Sequence, residues 1–191
     1  MTLVLNSSTT TNGNRSKPKV CLDSTIFEAV LAPTKDATER GRLAQGLLQD
    51  AAAGQIEIVV SALLLVECAA NPDEAGGDAV LELFESAFVT RCNVDPFTGE
   101  LARQLRRDLH HVTALTASGW LWLATALLTE CSYLMSYDKA LHRVAGQAAL
   151  GQLQVGAPTR PWVAQLSLVD VEGVMPSAPL VATVTRRSLL L

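Results

Sequence analysis

Short apolar runs alternate with longer amphipathic stretches along most of this chain. Val20 to Leu22, in "KVCLDST", form an apolar run that ends on Asp23, the pattern of a buried strand. "STIFEAVLA" reads as a short helix stopped by Pro33. In "TERGRLAQGLLQDAAAG", Leu43, Leu47, Leu48 and Ala51 recur at helical spacing, and Gly54 supplies a stop. "QIEIVV" predicts the next strand. Ser61 can then cap the helix "ALLLVECAA", which ends at "NPDEAGG". Asp78 to Phe88 predicts a further helix with Val80, Leu81, Phe84 and Phe88 on one face, and "VTRCNV" a short strand. The clearest amphipathic helix is "DPFTGELARQLRRDLHHV": Leu101, Leu105, Leu109 and Val112 share one side, and Arg103, Arg106, Arg107 and His110 fall on the other. "SGWLWLATALLTE" is apolar nearly all round and predicts a buried central helix. A strand in "CSYLMS", a helix in "YDKALHRVAG" and a last strand in "GQLQV" follow, before Pro158 and Pro161.

Strand and helix alternate throughout, which implies an α/β fold with a parallel sheet covered by helices on both faces. There is no internal repeat and no linker. The expected organisation is one domain over residues 18–169, a loose Ser/Thr/Asn-rich tail over 1–17, and a C-terminal extension over 170–191. The 191-residue length suits one ordinary core. With 49% hydrophobic but only 5% aromatic residues, that core must be mainly Ala, Leu and Val.

A net charge of −4 argues against a broad basic face for nonspecific nucleic-acid binding, though not against a local patch. Cys21, Cys68, Cys92 and Cys131 are widely spaced, in apolar contexts, with no CxxC pair. They read as buried free thiols, which fits a reducing cytosol and a cytoplasmic location. The longest apolar stretch, "GWLWLATALL", is too short to span a membrane, and the first residues lack the order of a signal peptide.

In sheets of this kind ligands bind beyond the carboxyl ends of the strands. Asp23 and Asp138 each lie at or just past such an end, and Glu67 lies in the helix after "QIEIVV". Carboxylates that converge repel one another and call for a cation. Oxygen ligands suit magnesium or manganese, which keep several waters and use one or two carboxylates. Each residue alone also fits a plainer role: Asp23 or Asp138 as a helix cap or turn residue, Glu67 paired with an arginine.

Several segments together resemble the PIN-domain family of metal-dependent ribonucleases, above all toxins of the VapC type. "VCLDSTIF" is similar to the family's first strand with its acidic residue at Asp23, and "VVSALLLVECA" to the second, with Glu67. "LARQLRR", "GWLWLATAL" and "YLMSYDKAL" are similar to the last block, which ends on an acidic residue, here Asp138. The likeness runs from about Val20 to about Pro158, and the order and spacing of its short motifs carry it. It implies a three-layer sandwich around about four to five parallel strands. It also implies Mg²⁺ or Mn²⁺ held by Asp23, Glu67 and Asp138, hydrolysis of RNA by metal-activated water, a homodimer, and a small antitoxin that covers the acidic pocket.

Two positions depart from the family. Its usual Asn or Ser two residues after the first aspartate is Thr25, whereas Ser136 fits the hydroxyl residue before the last one. Its aspartate at the start of the helix containing "LATAL" is matched by Gly119, which has no side-chain ligand atom. That departure implies weak or absent cleavage in this chain, and leaves a degenerate, non-catalytic RNA- or protein-binding module as the alternative.

Arg103, Arg106 and Arg107 are candidates for phosphate contact or an ordinary solvated face, with Arg40 and Arg42 as further cations. Tyr137 can stack on a base or simply pack. His110 and His111 are not at helical ligand spacing. No glycine-rich phosphate loop is present, which argues against a nucleotide-binding domain of another kind.

Overall fold

The computed structural model describes residues 17–31, 37–68 and 74–166. The two terminal segments expected to be loose, apart from Lys17, and the stop at Pro33 lie outside the described residues. Five strands form one parallel sheet in the order β3-β2-β1-β4-β5, which is the expected α/β sandwich core. They are β1 (Lys19–Leu22), β2 (Glu57–Ser61), β3 (Val89–Cys92), β4 (Tyr133–Met135) and β5 (Gln154–Gly156). β1, β2 and β4 fall on apolar runs, and all five overlap the segments expected to be strands. Val20, Cys21 and Leu22 are fully buried, as are Ile58, Val59 and Val60, because helices cover these central strands.

The connections are helical: α1 (Ser24–Leu31), α2 (Ala37–Ala52), α3 (Leu63–Cys68), α4 (Glu74–Glu85), α5 (Pro96–Leu109), α6 (Ala117–Leu128), α7 (Lys139–His142) and α8 (Pro161–Leu166). Ser61 caps α3 as expected, its Oγ accepting from the Leu63 N–H at 3.3 Å. α5 starts on Asp95, whose Oδ1 accepts from the Thr98 N–H at 2.8 Å, with Pro96 following the cap. α6 is buried on nearly all sides, including Trp120, Trp122 and Leu123. It packs against β1, β2 and β4, while α5 packs on α6. α1 packs against α2, where a Cβ on Gly41 would stand 3.0 Å from the Ala29 carbonyl oxygen. A side chain at Gly41 would press on that backbone oxygen, so glycine suits this close approach.

Four local expectations change. α4 begins earlier than Asp78 and ends at Glu85; Phe88 lies past it and Leu81 is exposed. Val112 lies beyond the end of α5, in the turn that follows. α7 is one turn long because residues 143–146 continue as turns, with Gly146 at positive φ. α8, begun by Pro161, was not expected at all. Of the four free cysteines, Cys92 is half-buried and the other three are buried. Among the described residues no helix is long and apolar enough to cross a membrane.

Candidate functional site

The sheet order fixes where a site can form. From β1 the chain runs outward to β2 and β3 on one side, and to β4 and β5 on the other. The crevice at such a reversal opens past the carboxyl ends of the two strands. Here those ends are Asp23 after β1 and Ser136, Tyr137 and Asp138 after β4, with Met135 paired to Leu22.

Asp23 follows β1 at this switch point and is only 3% exposed. Its Oδ1 accepts from Thr25, through the backbone N–H at 3.1 Å and the hydroxyl at 2.6 Å. Its Oδ2 accepts from the Ser136 hydroxyl. The same two hydroxyls bind the opposite strand end: Thr25 Oγ1 accepts from the Tyr137 N–H at 2.8 Å, and Ser136 Oγ from the Asp138 N–H at 2.8 Å. His142 adds a ring-nitrogen contact to the Ser136 carbonyl at 2.8 Å. Thr25 and Ser136 thus clamp β1 to β4 through the carboxylate.

Burial raises the Asp23 pKa to about 6; the Ser136 and Thr25 hydrogen bonds and the Ile26 N–H hold it down, and Glu67's charge adds to the rise. Glu28 is raised by burial and then by Glu67, and burial pushes the Cys68 thiol to about 11, assisted by Glu28, Glu67 and Asp23. The first strand end and α3 therefore create one negative region. Glu67 itself is half-buried and accepts from the Trp122 indole N–H at 3.0 Å through Oε2. The plainer arginine partner is replaced by an indole from α6.

Asp138 serves as the N-cap of α7, its Oδ1 accepting from the Ala140 N–H at 2.8 Å. It is joined to Asp23 through Ser136 and not by direct contact. Its Oδ2 accepts no hydrogen bond among the described residues. The cap reading therefore holds for this residue.

Gly119 occupies the third position of α6. Its N–H donates to the N-cap hydroxyl of Thr116 at 3.1 Å. It lies three residues before Trp122, hence on the same helix face as the side chain that reaches Glu67. Of the basic candidates, Arg103 is engaged by Glu100 in a paired contact at 2.9 and 2.6 Å, whereas Arg106 and Arg107 are exposed on α5. A cavity of about 650 Å³ lies at the other end of the sheet, by Ser132, Tyr133 and Gln154, away from the acidic crevice.

Three solved structures share this architecture. VapBC2 from Rickettsia felis, bound to a DNA fragment from its promoter, matches with a TM-score of 0.53 and 13% identity over 72% of this chain and 96% of the other. FitAcB from Neisseria gonorrhoeae matches with a TM-score of 0.50 and 15% identity over 73% and 97%. VapC20 from Mycobacterium tuberculosis, a sarcin–ricin loop cleaving toxin, matches with a TM-score of 0.52 and 14% identity over 71% and 98%. The chain has a VapC-like PIN fold. No protein-family model and no curated protein matches the sequence, so this likeness is one of fold.

Within the PIN fold, the donor set suits a hydrated cation better than a closed protein cage. No three His, Cys, Asp or Glu side chains among the described residues stand close enough together to hold one ion. Two carboxylates with water suffice for Mg²⁺, and the like charges of Asp23 and Glu67, which repel each other, are the kind a cation would neutralise.

The buried carboxylate also carries a stability consequence. Because the folded state raises the Asp23 pKa from 3.8 to about 6, folding binds its proton more tightly. The cost of holding it ionised is absent below about pH 4 and reaches about 3 kcal/mol above about pH 6. Asp23→Asn is expected to stabilise the metal-free protein by about 2 kcal/mol at pH 7.5, and the gain should vanish at pH 4. Urea unfolding in EDTA at the two pH values measures this; equal gains at both would refute the assignment.

Proposed function

We propose that this protein is a metal-dependent endoribonuclease of PIN type, the toxin of a toxin–antitoxin pair, acting on RNA phosphodiester bonds. The observation that carries the proposal is the buried Asp23 at the switch point of the sheet, with the charge of Glu67 acting on it from α3, in a fold shared with a toxin that cleaves the sarcin–ricin loop. Asp23, Glu67 and Asp138 would hold Mg²⁺ or Mn²⁺, directly or through water. When bound, such an ion supplies an activated water and neutralises charge on the phosphate. Thr25 and Ser136 orient the Asp23 carboxylate, since their hydroxyls fix both of its oxygens. Trp122 orients Glu67 from α6 and fills the wall beside it with an apolar ring. Arg106 and Arg107 are available for backbone phosphates. The partners of this reading are RNA, a second copy of the chain and an antitoxin; the VapBC and FitAcB assemblies of similar fold support the antitoxin.

Calorimetric titration with Mn²⁺ tests the centre directly. The protein is expected to take up one ion, and Asp23→Asn and Glu67→Gln each to weaken uptake at least about tenfold. Unchanged uptake in both variants would remove these residues from the site. Gly119 favours a second reading, a PIN scaffold that binds RNA or protein without cutting. Tight RNA binding with no Mn²⁺ uptake in the unaltered chain would select it.

A further inference from the structure

A negative crevice cannot hold a phosphodiester strand without cations on its rim, and the described arginines are unequally free to serve. Arg103 is paired with Glu100, and Arg160 with Asp50. Arg40 pairs with no carboxylate among the described residues; its guanidinium lies 5.1 Å from the centre of the Tyr137 ring. The Tyr137 hydroxyl donates to the Arg40 carbonyl at 2.8 Å, so the ring is pinned to α2. The Tyr137 N–H is pinned to Thr25 Oγ1 at 2.8 Å, and that hydroxyl donates to Asp23 at 2.6 Å. α2 packs closely on α1 beside Arg40, where a Cβ on Gly41 would stand 3.0 Å from the Ala29 carbonyl oxygen. Arg40, Tyr137, Thr25 and Asp23 therefore form one continuous, positioned chain from the surface to the buried carboxylate.

We propose that the Arg40–Tyr137 stack is the ledge that positions single-stranded RNA at the acidic crevice; this rests on the ribonuclease reading above. A guanidinium lying on an aromatic ring keeps its outer face open to an unpaired base and its in-plane N–H groups open to phosphate. Holding it by stacking removes side-chain freedom before the strand arrives. Bases in a duplex have both faces covered by neighbours, so the ledge selects unpaired nucleotides. Arg40 and Tyr137 are positioning residues and take no part in bond breaking.

Fluorescence anisotropy with a labelled single-stranded oligoribonucleotide in EDTA, across a salt series, tests this without requiring cleavage. Arg40→Ala is expected to weaken binding about five- to tenfold and to reduce the log–log salt slope by about 0.7. Tyr137→Leu should weaken binding several-fold with a smaller change in slope. Arg91→Ala, on the edge strand β3, should match the unaltered protein, and annealing the strand to its complement should weaken binding. Circular dichroism checks that each variant is folded. If the unaltered protein binds the single strand and folded Arg40→Ala matches it in affinity and slope, the ledge is wrong while the ribonuclease reading stands. If the unaltered protein binds no single-stranded RNA, both fall.

Discussion

Gly119→Asp is expected to raise Mn²⁺-dependent RNA cleavage by about a hundredfold or more, and to tighten Mn²⁺ binding in parallel. The place of the residue in α6 supports an effect of this size. It stands one turn before Trp122 on the face that reaches Glu67, so a carboxylate there adds an oxygen donor beside Glu67 to the proposed metal site. The fold can accept it. A Cβ at this position would meet Leu115 Cβ at 3.2 Å and Thr116 Oγ1 at 3.4 Å, so the half-buried Leu115 must shift by a few tenths of an ångström. Against that small strain, aspartate has a better helix propensity than glycine and interacts favourably with the helix N-terminus, each by a few tenths of a kcal/mol. Gly119 is buried on the face that meets Glu67, so the added charge is expected to cost the metal-free protein about 1–3 kcal/mol, a loss that bound Mn²⁺ should reduce. Cleavage of RNA followed on gels, beside calorimetry with Mn²⁺, gives the answer. A folded variant that neither cuts nor binds Mn²⁺ more tightly than the parent would remove the site's nuclease assignment.

The parallel sheet was legible because its central strands are short apolar runs, most of them followed by a helix with a recognisable start. Asp23 and Asp138 were legible for the same reason, since both sit where an apolar run stops. What the sequence could not show is the hydroxyl clamp: Thr25 and Ser136 are 111 residues apart, and only the pairing of β1 with β4 brings them together. Glu67 was readable as a candidate, but not its partner, because Trp122 lies 55 residues away on a helix whose apolar pattern is uniform. A tryptophan in such a helix gives no sign of which atom its N–H will meet. The end of α7 was misjudged because its apolar positions continue past His142, whereas Gly146 takes a positive φ and the chain turns. α8 was missed because the prolines before it read as an ending, although Pro161 begins the helix.

α8 carries the other large effect. Asp50, near the end of α2, is only 3% exposed and receives three donors from the far end of the chain. Arg160 Nε donates at 2.6 Å, Arg160 Nη2 donates to the second oxygen, and the Trp162 indole N–H donates at 2.7 Å. Trp162 in turn packs edge-on against Tyr133 of β4, with ring centres 6.0 Å apart. This one carboxylate ties the segment after β5 to α2. Asp50→Ala would leave a buried indole N–H without its acceptor and a half-buried guanidinium without its charge partner. The expected loss is about 3 kcal/mol, at the lower end for a broken buried pair because 38% of the Arg160 side chain remains exposed. At this chain length that corresponds to a melting temperature lower by about 6–12 °C. The Arg160 and Trp162 hydrogen bonds and the Arg160 charge outweigh burial and hold the Asp50 pKa below its ordinary value. The contribution is therefore complete above the unfolded pKa, near 4, and disappears as pH falls through the lower folded value. Asp50→Asn should recover part of the loss at neutral pH by keeping an acceptor for Trp162, and should converge with the parent in acid. Thermal unfolding of the three proteins at pH 7 and pH 3 measures both the size and the sign. A loss in Asp50→Ala that is equally large at pH 3 would mean that packing, and not the ion pair, holds α8 to α2.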